Sequence, residues 1–285
     1  MEKVTYINTR GETIEFSHRP PFILSKIDGL GDVEASVQSQ QAYGQDGDTY
    51  INSQLEPRYI SMEISIVAKH QNDLSQNRQL LTRLLNPKNG EGYLKYENGL
   101  VTRIIGAICE HVPKFPPNSR KSRYQVSFIN LKCPNPYWQS ADEYSESLSS
   151  WEGTFEFPFS FPIEFGTRAN RAILSNDGDE KTPVVIVFYG PATSPSITNE
   201  TTGETIKVNR VLASGEVLEV NTEFGNKTVE IIKPDGLRQN VFNYIDPDSE
   251  FFQLAPGKNA LFFASEDIEN PGSALIKYKK RYIGV

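Results

Sequence analysis

The first candidates for a nucleophile or a transition-metal ligand in this 285-residue chain are its two cysteines and three histidines. Cys133 lies in the stretch KCPNPYW, residues 132–138, and Cys109 lies in TRIIGAICEHV. A reactive thiol needs an accessible, electropositive setting. Both cysteines instead fall in predicted strands, where a thiol usually packs as a small apolar side chain. We therefore predict that both are structural, and that KCPNPYW closes one domain and is made rigid by its two prolines.

The other candidate ligands are also poorly placed for chemistry. His18, His70 and His111 are far apart, and none has a cysteine or carboxylate at ligand spacing. The turns QDGDTY (45–50) and NDGDEK (176–181) resemble calcium loops, but neither has the spaced acids and the glutamate at the twelfth position. The sequence contains no GxSxG, HExxH, GxGxxG or phosphate-binding loop. We expect no catalytic, cofactor-binding or metal site, and no cofactor.

Charge and composition limit the class of protein. Two cysteines are too few for a disulfide framework, which favours a reduced protein made in a cytoplasm. No run of 18 apolar residues and no apolar N-terminal segment occurs, so we expect neither a membrane span nor a signal peptide. Residues 1–138 carry 16 Lys and Arg against 14 Asp and Glu, whereas residues 139–285 carry 13 against 22. The acidic second half would repel nucleic-acid phosphates, and the change in charge predicts domains of 1–138 and 139–285.

The first half has the pattern of a sheet domain with one helix. Gly11 lies between two short runs rich in β-branched and aromatic residues, which predicts a hairpin. Residues 60–68 alternate between apolar and polar side chains, which predicts a half-buried strand with Ser65 on its polar face. The stretch NDLSQNRQLLTRLLNP has leucines at helical spacing, with Asp73 or Ser75 as its cap. Further strands are predicted in EGYLKYENG, TRIIGAICEHV and RYQVSFINLKC.

The second half has the pattern of a β-sandwich, with short strand segments separated by Gly, Asn and Pro. Strands are predicted in TPVVIVFYG, TGETIKVN, GEVLEVNTEFGNKTVEII and NALFFAS. In residues 151–165 the large apolar side chains recur at every second position, so one face carries Trp151, Phe155, Phe157, Phe159, Phe161, Ile163 and Phe165. We expect this face to be sandwich core, and a glycan-stacking platform is the alternative.

Taken together, these stretches resemble the distal tail proteins of bacteriophages with long non-contractile tails. In the first half the similarity lies in PPFILSKIDGLGDVEASVQSQQAYGQDGDTY, RYISMEISIVA and LLNPKNGEGYLKY, and CPNPYW is similar to the usual close of the family's first domain. In the second half it lies in NDGDEKTPVVIVFYGPATSPSITNETTGETIKVN and DSEFFQLAPGKNALFF. The similarity covers nearly the whole chain in the expected order. The chain has no large insertion of the kind that carries a carbohydrate-binding module in some relatives.

This resemblance implies a structural protein of the virion rather than an enzyme. The implied fold is mainly β in two domains: an N-terminal sandwich or barrel-like domain with one α-helix, and a C-terminal galectin-like β-sandwich. Relatives form a six-subunit ring, built by the first domain, at the far end of the tail tube. The expected partners are further copies of the chain, the tail tube protein and a tail-associated lysin or tail-tip fibre protein, with a receptor-binding protein as a further candidate.

The resemblance also implies a location and leaves an alternative open. We expect the protein at the tail tip of the virion after assembly in the host bacterial cytoplasm, with no membrane contact and with DNA only passing through the bore. The alternative is a carbohydrate-binding module for host cell-wall glycans, to which an aromatic-rich sandwich would be suited. A hydrolase is a more distant alternative, against which the missing motifs argue.

Overall fold

The computed structural model describes residues 2–149, 170–267 and 272–285. It is predominantly β with two domains, which confirms the predicted fold class. The chain divides into unit 1, Met1–Ala141 with Tyr282–Val285, and unit 2, Asp142–Arg281.

These bounds differ from a boundary at residue 138 in two respects. Residues 139–141 belong to unit 1 because the strand Trp138–Ser140 pairs there with a neighbouring strand, Gln139 opposite Ile104. The last four residues also return to unit 1, where the Ile283 carbonyl accepts a hydrogen bond from the buried Arg58.

Unit 1 contains ten strands before the chain leaves it. They are β1 (Lys3–Ile7), β2 (Thr13–Phe16), β3 (Phe22–Asp28), β4 (Ala35–Gln40), β5 (Thr49–Leu55), β6 (Arg58–Val67), β7 (Gly92–Glu97), β8 (Thr102–Cys109), β9 (Tyr124–Cys133) and β10 (Trp138–Ser140). The main sheet has the order β2-β1-β7-β8-β9-β6-β3, with antiparallel neighbours. The backbone N–H of Ser17 donates to the Phe22 carbonyl at 3.3 Å, and the Ser17 carbonyl accepts from Leu24 at 2.7 Å, so the two outer strands meet at this point.

Several local predictions in unit 1 are confirmed. β1 and β2 form the hairpin around Gly11, which has a φ of 75°. β6 buries its apolar face, namely Ile60, Met62, Ile64 and Ile66. Ser65 lies on the opposite face but is also buried. Its hydroxyl lies 2.9 Å from the Ser25 hydroxyl and 3.0 Å from the Tyr124 hydroxyl. Those two contacts satisfy a polar group that alternation alone would place in water.

The α-helix of unit 1, α1 (Gln71–Leu84), packs its leucines into the core, where Leu74, Leu81 and Leu84 are buried. Its N-cap residue is His70 rather than Asp73 or Ser75. Asp73 still stabilises this end, because its carboxylate accepts a hydrogen bond from the backbone N–H of His70 at 3.1 Å. Short 3-10 helices cover Pro87–Asn89 and Pro117–Ser119. The basic stretch 117–123 lies in the connection between β8 and β9.

Unit 2 is built from short strands, as predicted. They are β11 (Tyr144–Ser149), β12 (Arg171–Asn176), β13 (Thr182–Tyr189), β14 (Ala192–Thr193), β15 (Ser196–Asn199), β16 (Glu204–Lys207), β17 (Val211–Leu212), β18 (Val217–Asn221), β19 (Thr228–Ile232), β20 (Arg238–Asn240), β21 (Gln253–Leu254), β22 (Gly257–Ala264) and β23 (Ser273–Tyr278). A last strand, β24 (Arg281–Tyr282), lies where the chain passes back to unit 1, and a 3-10 helix covers Phe242–Tyr244.

Two larger sheets enclose the core of unit 2. One has the order β11-β23-β13-β18-β19-β20, and the other has the order β12-β22-β15-β16. Phe188 of the first sheet and Phe263 of the second are buried, with ring centroids 6.1 Å apart, as expected of a sandwich core. The aromatic face predicted at 151–165 lies outside the described residues. Among the residues that are described, no helix is long and apolar enough to cross a membrane.

Candidate assembly interface

Both thiols are buried in unit 1, as predicted. Cys109 at the end of β8 is 2% exposed and Cys133 at the end of β9 is 0% exposed, and neither forms a disulfide. Burial raises the pKa of the Cys109 thiol to about 11 and that of the Cys133 thiol to about 12. Burial therefore disfavours the thiolate form of both side chains at neutral pH.

This burial predicts slow thiol labelling. At pH 8, a thiol with a pKa near 11 is ionised in only about one molecule in a thousand, so the native chain should react with iodoacetamide on neither cysteine. Intact mass before and after incubation measures the reaction, and the same chain in denaturant provides the control, with two labels expected. Rapid native labelling of either cysteine would contradict a structural role for that residue.

The histidines do not assemble into a site. His18, His70 and His111 are all exposed, and they lie respectively after β2, before α1 and after β8. Within residues 2–149, 170–267 and 272–285, no group of three or more His, Cys, Asp or Glu side chains is arranged to hold a metal ion.

The acidic side chains of the two turns have local hydrogen-bond partners. In the turn at 176–181, Asp177 accepts hydrogen bonds from Lys280 at 2.6 Å and Ser175 at 2.7 Å. The hydrogen bond from the Lys280 ammonium is the main reason that the pKa of Asp177 is lowered. In the turn at 45–50, Asp48 accepts a hydrogen bond from the Ser39 hydroxyl. These contacts are those of ordinary turns stabilised by side chains.

A buried arginine organises unit 1 around the KCPNPYW stretch. Arg58, the first residue of β6, is 1% exposed. Its Nε donates to the Pro136 carbonyl at 2.9 Å, and its Nη1 donates to the carbonyls of Gly29 at 2.9 Å and Asp32 at 3.2 Å. Its Nη2 donates to the carbonyl of Ile283. One guanidinium thus joins β6 to three other chain segments through four backbone carbonyls, and burial lowers the pKa of Arg58.

A glycine and a tryptophan lie beside the segment that Arg58 contacts. A Cβ added at Gly29 would lie 2.0 Å from the Tyr59 carbonyl oxygen, so no other residue fits there without moving the backbone. Trp138 is fully buried, and its indole Nε1 donates to the Leu30 carbonyl at 3.0 Å. KCPNPYW therefore helps to hold the Gly29–Asp32 segment in place, through the Pro136 carbonyl that Arg58 contacts and through the Trp138 indole.

The strongest candidate for an interaction surface is the hairpin of β4 and β5, residues 35–55, which we call the arm. The two strands pair only with each other. Every residue of β4 is exposed and every residue of β5 except Leu55 is exposed, so both faces of the hairpin lack cover. The apolar side chains on it are Val37, Tyr43, Tyr50 and Ile51, which are 61%, 109%, 63% and 58% exposed. An isolated two-stranded hairpin is only marginally stable in water, so the arm needs a partner surface.

The arm is not evident from the sequence. Gly44 and Gly47, which both have positive φ, lie in the loop between β4 and β5. The segments ASVQSQ and TYINSQL lack an alternating apolar face, because neither face packs on a core. The signal that could have revealed it is the Val and Tyr before the Gly-containing turn and the Tyr and Ile after it.

A groove lies on the outer face of α1, opposite its buried leucines. It has a volume of about 500 Å³. Five of the residues that line it lie on one face of α1, one follows the helix, and one is an aromatic residue from the connection between β8 and β9. They are Ser75, Arg78, Gln79, Thr82, Arg83, Asn86 and Phe115. We call it the α1 groove. The Arg78 guanidinium lies 4.7 Å from the centroid of the Phe115 ring, and Arg83 has a side chain that is 62% exposed. The groove is therefore basic with an aromatic wall.

Unit 2 exposes aromatic side chains of its own. The rings of Phe242 and Phe251 stack with centroids 5.7 Å apart. The Lys227 ammonium lies 5.0 Å from the Phe251 centroid and 5.8 Å from that of Phe224, which is 85% exposed. Exposed rings of this kind can pack against a sugar ring or against an apolar side chain of another protein.

Two family comparisons cover most of the chain. Residues 9–133 match the family described as the phage tail protein RIFT-related domain. Residues 177–282 match the family described as the siphovirus-type tail component, C-terminal domain. A search of curated proteins found no match.

Solved structures show the same fold over the full length. The Dit protein of phage SPP1, described as a paradigm of the hub adsorption apparatus in phages that infect Gram-positive hosts, is 14% identical, with a TM-score of 0.69 and 99% of each chain covered. A chain of the phage P2 baseplate, in its activated conformation with Ca, is 11% identical, with a TM-score of 0.59 and coverage of 100% of this chain and 99% of that one. The same baseplate with Sr gives 11% identity, a TM-score of 0.59 and full coverage of both chains.

Proposed function

Because this chain belongs to the family of siphophage distal tail proteins, we propose that six copies close into a ring through unit 1. The chain is a component of the phage tail and its baseplate hub. In our proposal the ring joins the tail tube to the tail-associated lysin or tail-tip fibre, and its bore lets DNA pass.

The uncovered arm is the observation that carries this proposal. It leaves two strands and their apolar side chains in water, which exposes a monomer to aggregation. Head-to-tail contacts that close into a ring give every arm a neighbour and leave no free interface. A ring therefore accounts for a feature that has no role in the single chain.

Charge supports unit 1 as the part that builds the ring. By sequence, unit 1 has a net charge of +2 and unit 2 a net charge of −9, since residues 139–141 and 282–285 are uncharged. Six strongly acidic domains packed around a narrow axis would repel one another, and salt screens that repulsion only beyond about 8–10 Å. We therefore assign unit 2 to the periphery of the ring.

The same proposal covers location and the absence of catalysis. The protein is a virion component, and we propose that it assembles in the host cytoplasm, where its two buried thiols remain reduced. We propose that it is not an enzyme. The burial of both thiols and the separation of the three exposed histidines support this assignment.

A carbohydrate-binding module is the second candidate function. It is favoured by the stacked rings of Phe242 and Phe251 and by the exposed Phe224 in unit 2. Such a module would function as a single chain, and it gives the arm of unit 1 no role.

Native mass spectrometry of the full chain tests the proposal. We expect a species of six copies, each of 32.1 kDa, with few intermediates because a closed ring satisfies all its contacts at once. A chain that remains monomeric at all concentrations would contradict the ring and favour the second candidate.

A further inference from the structure

We propose that the arm of one copy docks in the α1 groove of the next copy, an inference that rests on the proposed ring and specifies its contact. The arm provides strands and aromatic side chains without cover, and the groove provides a basic cleft with an aromatic wall. Because the arm is exposed in the single chain, it does not occupy the groove of its own copy.

Charge segregation within unit 1 favours this pairing. Residues 27–57, which include the arm, contain six Asp and Glu and no Lys or Arg. Residues 111–138, which include the aromatic wall at Phe115, contain five Lys and Arg and no Asp or Glu. Two stretches of opposite charge can attract each other between copies of a nearly neutral unit, which favours head-to-tail association in one orientation.

The groove also has an unsatisfied donor suited to an acidic or carbonyl-rich partner. Arg78 Nε is buried and has no hydrogen-bond partner in the described part of the chain. Such a group is costly unless a partner supplies an acceptor. Arg83 pairs with Glu12 of its own chain at 3.2 Å, but an exposed pair of this kind is weak and leaves Arg83 able to exchange partners.

On the arm, the acceptors for this contact are the carboxylates of the turn. Asp46 and Asp48 lie between Gly44 and Thr49, in the loop that is farthest in sequence from the base of the hairpin at residues 35 and 55. Tyr43 in the same turn is fully exposed. We infer that this turn brings carboxylates to the arginines and an aromatic ring to Phe115.

Charge reversal in the full chain tests the contact. Asp46→Lys with Asp48→Lys on the arm, and Arg78→Glu with Arg83→Glu in the groove, should each leave the monomer as the main species in native mass spectra, and the four changes together should restore the oligomer. Gln79→Glu adds a negative charge to the groove while keeping Arg78 on Phe115, so it tests the groove even if the double change fails to fold. Lys258→Glu, an exposed change on β22, should have no effect.

Crosslinking identifies the occupant directly. A chain with Tyr43→Cys is mixed with an isotope-labelled chain with Gln79→Cys, and a bismaleimide joins the new thiols, while both native cysteines are buried. A crosslink between labelled and unlabelled chains is expected. If the unmodified chain is oligomeric but no such crosslink forms and the charge reversals change nothing, the docking is wrong and the ring stands. A monomeric unmodified chain would overturn both.

Discussion

Replacing residues 37–53 by Asn-Gly is expected to convert the ring into a monomer and to leave unit 1 folded. All of the removed residues except Gln45 are exposed, and the arm pairs only with itself. Ser36 and Gln54 are paired across the hairpin, and an Asn-Gly turn can join them in a tight hairpin. The free energy of unfolding should therefore change by no more than about 0.5 kcal/mol. Native mass spectrometry gives the oligomeric state, and denaturant unfolding gives the stability.

The chain offers a matched pair of substitutions that separates the role of the arm from a general effect of surface apolarity. Ile51 on the arm and Leu237 in unit 2 are both 58% exposed. Ile51→Ser should raise the share of monomer in the native mass spectrum, and Leu237→Ser should leave it unchanged. An arm-shortened chain that still forms the full oligomer would show that the ring is held by other surfaces of unit 1.

The parts of the fold that were predictable are those whose causes lie close together in sequence. The hairpin around Gly11 and the buried face of β6 follow from local alternation and a turn residue, and both are present. The leucine stripe likewise predicted α1, although its N-cap is His70 and not one of the usual cap residues. Cap identity depends on which side chain reaches which backbone group, and spacing alone does not determine it.

The arm and Arg58 could not be predicted in the same way. The arm has strands without a buried face, so no apolar alternation marks them in the sequence. Arg58 lies just before an apolar alternating segment, where a charged residue suggests a solvent-exposed strand end. Its acceptors come from residues 29, 32, 136 and 283, and no local pattern brings these segments together.

This arrangement predicts that replacing Arg58 will cost unit 1 a large part of its stability. Arg58→Met removes donors from four backbone carbonyls, among them those of Gly29 and Pro136, and leaves buried acceptors without partners. Hydrogen bonds to a charged group contribute about 1.5–3 kcal/mol each and are not additive. We expect a loss of about 3–5 kcal/mol in the free energy of unfolding of unit 1.

The loss should depend on the shape of the guanidinium as well as on its charge. Lysine keeps the charge but offers one nitrogen in place of three, so it cannot reach the Pro136, Gly29 and Ile283 carbonyls together. Arg58→Lys should therefore recover only part of the stability lost in Arg58→Met.

Trp138 provides a reporter for the measurement, because it is fully buried beside the same segment and donates to the Leu30 carbonyl. The chain has two tryptophans, and a Trp151→Phe background makes Trp138 the only fluorescent indole. Denaturant unfolding followed at Trp138 then gives the free energy of unfolding of unit 1. Arg10→Met, an exposed change in the turn between β1 and β2 of the same unit, should shift it by no more than about 0.5 kcal/mol. If Arg58→Met unfolds at the same denaturant concentration as Arg10→Met, the four carbonyls are satisfied without the guanidinium. Arg58 then does not hold the segments at 29–32, 136 and 283 together.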